Sequence, residues 1–298
     1  MLTGLETGFG LDVVLWLQAN GNALFDVLAE ALDFMGNDLF FLAALPLIFW
    51  SINRQLGARL LFALIVGGLV NIALKMIFMT PRPFQVSAEV VPLVEATGFG
   101  VPSGHVMVAV VVWGYLALYL RRRAVTSAVI VYVLAMMWAR MYAGVHYPQD
   151  VIAGVLLGLP TLWLVNALIL RGGPLWERLA VRARVPAVLL AGMIAFVFLF
   201  EDETATALVG LLIGVGLGTI LESRFVEFSA FGPAWQRAAR FIVGIALTLG
   251  LFVGLSAIFE SLDPETLLRT LRYMLVALFA YAIWPWLALR LRLMYRVS

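Results

Sequence analysis

GARLLFALIVGGLVNIALKMIFM, residues 57–79, holds one arginine near its start and one lysine, Lys75, near its end; between them every residue but Asn71 is apolar or glycine. A hydrocarbon core of about 30 Å takes about 20 apolar residues in a helix, so this stretch reads as a membrane span. Lys75 is the only lysine in the chain. An unpaired charge near the centre of a span costs about 2.5 kcal/mol or more, so Lys75 is expected to face a polar cavity or a bound anion.

Outward from this span, further apolar segments fall at about 39–52, 104–120, 124–145, 151–170, 185–200, 205–221, 241–259 and 273–289. The expected fold class is therefore all-α, a polytopic membrane bundle of about nine spans. The composition agrees: 63% of the 298 residues are hydrophobic and only 13% charged, with a mean hydropathy of +1.00. These values exclude a water-soluble enzyme, a disordered chain and a disulfide scaffold. A net charge of +2, spread over arginines between apolar runs, does not suit a nucleic-acid partner. With no cysteine there is no thiolate nucleophile and no zinc–sulfur site. The first residues lack the basic flank and cleavage site of a signal peptide and are expected to stay on the mature protein. Residues 1–36 are expected to form an interfacial amphipathic segment, because Asp26, Glu30 and Asp33 recur at helical spacing among apolar neighbours.

Arginines gather at alternate junctions: Arg54 and Arg59; Arg121 to Arg123; Arg171, Arg178, Arg182 and Arg184; Arg224, Arg237 and Arg240; Arg290, Arg292 and Arg296. The opposite junctions hold Glu89 and Glu95, the run Glu201-Asp202-Glu203, and Glu260, Asp263 and Glu265. The bias toward cytoplasmic arginine puts the first set inside and, for nine spans, the C-terminus inside and the N-terminus outside. Short loops and the lack of an N-x-S/T sequon suit a bacterial inner membrane. Lys75, Arg82 and Arg140 break the trend by lying on the outer side. Arg269 and Arg272 also do, and read as solvated residues of a first helical turn.

The exceptions fall in three blocks: Lys75 to Pro83 (KMIFMTPRP), Pro102-Ser103-Gly104-His105, and Arg140 to Asp150 (RMYAGVHYPQD). The only two histidines, His105 and His146, lie in these blocks at the outer ends of spans. Three cations against one carboxylate would repel a divalent metal and attract an anion, with phosphate as the natural ligand and no cofactor required. Ser103 stands where a helix begins, so the amides of Gly104 and His105 would point at such an anion. His146 and Asp150 are four residues apart, which on a helix starting near Pro148 sets the carboxylate beside the imidazole and fixes its tautomer. Two histidines flanking an anion suit phosphoryl transfer, one attacking and the other protonating the departing oxygen.

The ordered pattern K-x6-R-P, P-S-G-H and R-x5-H-x3-D resembles the type 2 phosphatidic acid phosphatase superfamily, whose fold is shared with vanadium haloperoxidases. The resemblance spans residues 22–170. It implies a metal-independent lipid phosphate phosphatase in which His146 is the nucleophile, Asp150 its orienting partner and His105 the general acid. Lys75, Arg82, Ser103, Gly104 and Arg140 would bind the phosphate. One position departs from the family pattern: Ala139 stands where a serine usually precedes the arginine, removing one hydroxyl donor.

The expected organisation is thus residues 1–36, a phosphatase core over 37–171, and a four-span module of unknown role over 172–298. The expected partners are a lipid phosphate substrate, its phosphate a monoester or diphosphate, and membrane lipids. The alternative functions are a phosphotransferase using the same site and a lipid-binding or transport protein. Tyr142 and Tyr147 read as aromatic-belt residues rather than substrate contacts. Gly210, Gly214 and Gly218, four apart with Gly216 between, form a small-residue seam that reads as a packing face or a homodimer face. Residues 222–240 carry aromatics among arginines, suggesting contact with anionic lipid, with a break at Gly232-Pro233.

Overall fold

The computed structural model describes residues 8–259 and 262–296; residues 1–7 and Glu260, which entered the expectations above, lie outside the described residues. The helices are α1 (Phe9–Ala19), α2 (Ala23–Phe34), α3 (Asp38–Ser51), α4 (Arg54–Phe78) and the short α5 (Pro83–Val86). They continue as α6 (Gly104–Leu120), α7 (Arg123–Tyr142), α8 (Pro148–Arg178), α9 (Val181–Leu199), α10 (Glu203–Val226), α11 (Ala234–Phe259) and α12 (Glu265–Arg290). Four of them, α6, α8, α10 and α12, contain one π-helical turn each.

Among the described residues, seven helices are long and apolar enough to cross a membrane, or eight if the bent pair α2 and α3 counts as one span. The expectation of nine is revised for two short segments. α3 ends at Ser51 and meets α2 at a 56° bend, and α6 has the length of a short apolar helix only. Outward-facing Ile130, Val131, Leu134, Leu156 and Trp163 are exposed, as lipid-facing residues are.

The chain forms two compact units, Met1–Leu42 with Val66–Asn166 and Ala43–Ile65 with Ala167–Ser298. In the first, Val106, Ala109, Val110, Val133, Met136 and Val151 make a core between α6, α7 and α8. Gly154 and Gly158, four apart on α8, let its backbone close on α6: a Cβ at 154 would lie 3.1 Å from the Ser103 carbonyl, and one at 158 would lie 3.0 Å from Val110. Asp150 stands one turn before Gly154 on this same face.

α2 differs from the expected interfacial helix in the direction of its faces. Asp26 accepts from the Tyr142 hydroxyl at 2.6 Å, and Asp33 pairs with Arg140. Ala29 is buried between them against Ala139 and Tyr142, while Leu24, Val27, Leu28 and Phe34 are exposed. Two of the three acids face protein because fixed partners on α7 satisfy them, leaving the apolar side outward.

In the second unit the glycine seam of α10 packs inside the chain. A Cβ at Gly210 or Gly214 would strike the backbone of Thr270 or Met274, and one at Gly218 would lie 2.6 Å from Tyr281 Cβ. Gly216 faces Val188 of α9. The seam is a packing face, and the homodimer expected through Gly210, Gly214 and Gly218 is corrected: α12 already covers all three. The segment after α10 turns through β1 (Phe228–Ser229), antiparallel to β2 (Tyr295–Arg296), before α11 starts beyond Gly232-Pro233. Arg240 is buried and donates to the carbonyls of Ser229, Ala230 and Phe231, so it holds this turn rather than meeting lipid. Arg54 pairs with Glu222 at 2.7 Å. Arg269 and Arg272 are also corrected from solvated residues. Arg269 bridges Glu203 and Glu265, and Arg272 donates to Ser256 and lies 4.9 Å from the Phe252 ring centre.

Candidate active site

All eight candidate site residues of the three blocks lie in the first unit. The first block leaves α4 through Met79, whose φ of +48° breaks the helix, and enters Pro-Arg-Pro, where Arg82 is extended and α5 starts at Pro83. Thr80 ties this loop to the second block. Its carbonyl accepts from Gly100 N–H at 2.8 Å and its hydroxyl from Val101 N–H at 2.8 Å.

Arg82, 4% exposed, joins the first block to the loop that precedes the second and to the third block. Nε donates to the Gly98 carbonyl at 3.0 Å, Nη2 to Thr97 at 2.7 Å and Nη1 to Val145 at 3.0 Å. Nη1 also lies 3.1 Å from His146 Nε2. A guanidinium has no acceptor, so Nε2 must offer its lone pair, and the ring proton sits on Nδ1. Nδ1 in turn lies 3.2 Å from Asp150 Oδ2, which also accepts from Tyr147 N–H at 3.0 Å. The expected His–Asp pair forms, and it leaves the lone pair on Nε2.

Asp150 fixes the second block as well. Its carbonyl accepts from Ser103 N–H at 3.0 Å, which sets the start of α6 beside the His146 loop. Ser103 Oγ is buried and without a hydrogen-bond partner among the described residues, as is Arg140 Nε. Lys75 Nζ donates to the Phe99 carbonyl at 2.8 Å. Burial comes first among the causes that hold His146 well below the ordinary histidine range, followed by the positive charge of Arg82, Arg140, Lys75 and His105. A neutral imidazole surrounded by cations, a free hydroxyl and helix-start amides is equipped to attack an anion's central atom.

A scan against family models matches residues 56–172 to the PAP2 superfamily and residues 206–296 to the PAP2 superfamily phosphatase transmembrane extension. An undecaprenyl-diphosphatase of Sulfolobus acidocaldarius is 30% identical over 53% of this chain and 78% of its own length. The chain belongs to the PAP2 superfamily. Among other relatives of the PAP2 chain, a probable sphingosine-1-phosphate phosphatase of Dictyostelium discoideum is 27% identical over 51% of this chain. The match spans 40% of that relative's own length, and 41% for the lipid phosphate phosphatase delta of Arabidopsis thaliana. Among solved structures, Aquifex aeolicus LpxE aligns at a TM-score of 0.48 and 23% identity, over 53% of this chain and 94% of that one. The extension match brings most of the C-terminal spans, which lay beyond the motif resemblance, within the same superfamily.

Two residues of this candidate site carry no motif. Asn71, one helical turn before Lys75 on α4, is buried and donates to the Pro102 carbonyl at 3.2 Å. It lies 3.1 Å from where a Cβ on Gly104 would stand, so it holds the Ser103 turn in place. Its signal was its solitude as a polar residue in an apolar run. The second is Asp33, whose carboxylate pairs with Arg140 and lies 3.3 Å from His105 Nε2. The site therefore sets three cations against two carboxylates rather than one. Ala139 packs against Ala29 of α2 in an apolar cluster, so the position without the usual serine is a helix contact here.

Proposed function

We propose that this chain is a membrane lipid phosphate phosphatase working through a phosphohistidine. The observation that carries the reading is the setting of His146 Nε2: its lone pair is exposed by the Asp150-bound tautomer and stands against Arg82 amid surplus positive charge. In the first step Nε2 forms the bond to phosphorus as the lipid–oxygen bond breaks, and His105 protonates the departing oxygen. In the second, water attacks phosphorus, gives its proton to His105, and the N–P bond breaks to release phosphate and restore His146. Lys75, Arg82, Arg140, Ser103 and the amides of Gly104 and His105 bind the phosphate and stabilise charge on its equatorial oxygens. The surplus of cations disfavours a divalent metal at this position.

The substrate class is a lipid monophosphate or diphosphate. Lys75 sits within an apolar span, so a headgroup reaches the site while its tail stays in lipid, and relatives carry names for sphingosine-1-phosphate and undecaprenyl diphosphate. Arginine bias across the junctions supports an outer-facing site and a cytoplasmic C-terminus, as in a bacterial inner membrane. The test is phosphate release by purified protein in detergent with EDTA, on phosphatidate, sphingoid phosphate and undecaprenyl diphosphate, beside His146→Ala. EDTA-resistant, vanadate-sensitive release lost in the variant supports the reading. Equal silence of wild type and variant across the panel overturns it.

A further inference from the structure

The carboxylate of Asp33 touches the two groups that the hydrolase reading assigns to opposite ends of the reaction. It pairs with Arg140, which binds phosphate, and lies at ion-pair distance, 3.3 Å, from Nε2 of His105. Asp150 is committed to His146. Asp33 is thus the carboxylate that faces the second histidine.

Its delivery is built into α2 and the turn after it. Asp26 holds the Tyr142 hydroxyl at 2.6 Å, and the Met35 carbonyl accepts from Tyr132 at 3.2 Å, so α7 grips α2 on both sides of Asp33. Gly36 then passes so close over His105 that a Cβ there would overlap the imidazole Cδ2. The ring is held by a charge on one nitrogen and a backbone against its edge. Nε2 is buried and meets Asp33 at ion-pair distance without a hydrogen bond, and Nδ1 makes no hydrogen bond among the described residues.

We propose that Asp33 is a positioning residue for the leaving-group acid: it holds the proton on His105 Nε2, so that Nδ1 carries the proton that is transferred. This rests on the hydrolase reading. As the lipid–oxygen bond breaks, its electron pair goes to oxygen, which takes the Nδ1 proton; the neutral ring keeps its Nε2 proton toward Asp33. In the hydrolytic step Nδ1 takes a proton from the attacking water. The arrangement mirrors His146, where the carboxylate holds Nδ1 and Nε2 reacts.

A general acid matters in proportion to the basicity of the departing oxygen. The experiment compares a long-chain alkyl phosphate with an alkyl-substituted nitrophenyl phosphate, whose leaving group needs no proton. Asp33→Asn is expected to lower kcat for the alkyl ester about 100-fold and for the aryl ester less than about 3-fold, with Asp33→Glu recovering most of the difference. Gly36→Ala, which leaves every charge in place, is expected to give the same asymmetry at about 10-fold. Equal slowing of both esters by Asp33→Asn overturns the proposal, as does tighter inhibition by inorganic phosphate with both esters faster, which would make Asp33 a competitor for the anion site. Gly36→Ala matching wild type on both esters also overturns it. If wild type releases phosphate from neither ester, the hydrolase reading itself fails.

Discussion

In the unit formed by Ala43–Ile65 and Ala167–Ser298, three arginines are matched locally: Arg54 by Glu222, Arg269 by Glu203 and Glu265, Arg240 by three carbonyls of one turn. In the unit formed by Met1–Leu42 and Val66–Asn166, Lys75, Arg82 and Arg140 act together on one histidine, with two carboxylates between them. Matched charges reach an optimum without a ligand. Surplus like charges in a buried site are costly until an anion enters, so the imbalance marks where chemistry belongs, and the local pairs mark where the fold is fastened.

The comparison breaks most sharply at His146. His146→Ala is expected to lower phosphate release by about 10³-fold or more while leaving the folded fraction intact, measured by steady-state assay and gel filtration. Arg82→Lys keeps the charge but cannot span Thr97, Gly98, Val145 and His146; kcat/KM is expected to fall about 100-fold. In the other unit, Gly214→Val forces a side chain into the Met274 backbone and is expected to cost about 3 kcal/mol of stability, seen as a lower Tm with unchanged kcat of the surviving fraction.

The pH profile sharpens the contrast. In the proposed mechanism only neutral His146 attacks, and burial and neighbouring cations disfavour its protonated form. The acidic limb of kcat/KM is therefore expected below the ordinary histidine value of about 6.5, with activity lost as pH falls through the lowered value; a limb above 6.5 would remove His146 as its source. The smallest effect is expected from replacing Arg54 and Glu222 together by methionine, with stability within about 1 kcal/mol of wild type and kcat unchanged.

The motif residues were legible because each block is contiguous and its spacing holds the candidate partners within one or two turns: His146 with Asp150, Lys75 ahead of Arg82. The seam at Gly210, Gly214 and Gly218 was legible as a close-packing face, but spacing carries no record of what packs there, and Tyr281 lies far along the chain. Asp33 was hidden for the same reason. Three acids at helical spacing describe a face, and only Arg140 and His105, 107 and 72 positions later, decide whether it turns to water or to protein. The Gly154 and Gly158 seam has no polar neighbour to mark it inside its apolar run, though it sets Asp150 against Ser103.

The pairing of Asp33 with Arg140 also bears on how the chain is made. Synthesis runs from the N-terminus, so α2 is delivered to the bilayer 107 residues before Arg140 emerges. An arginine at the centre of a span meets a partitioning barrier of about 3 kcal/mol at the insertion machinery, and one in the last turn, as Arg140 is, meets a smaller one. Chain order thus lets α7 bring its arginine to a carboxylate already made, as half of an ion pair rather than as a lone charge.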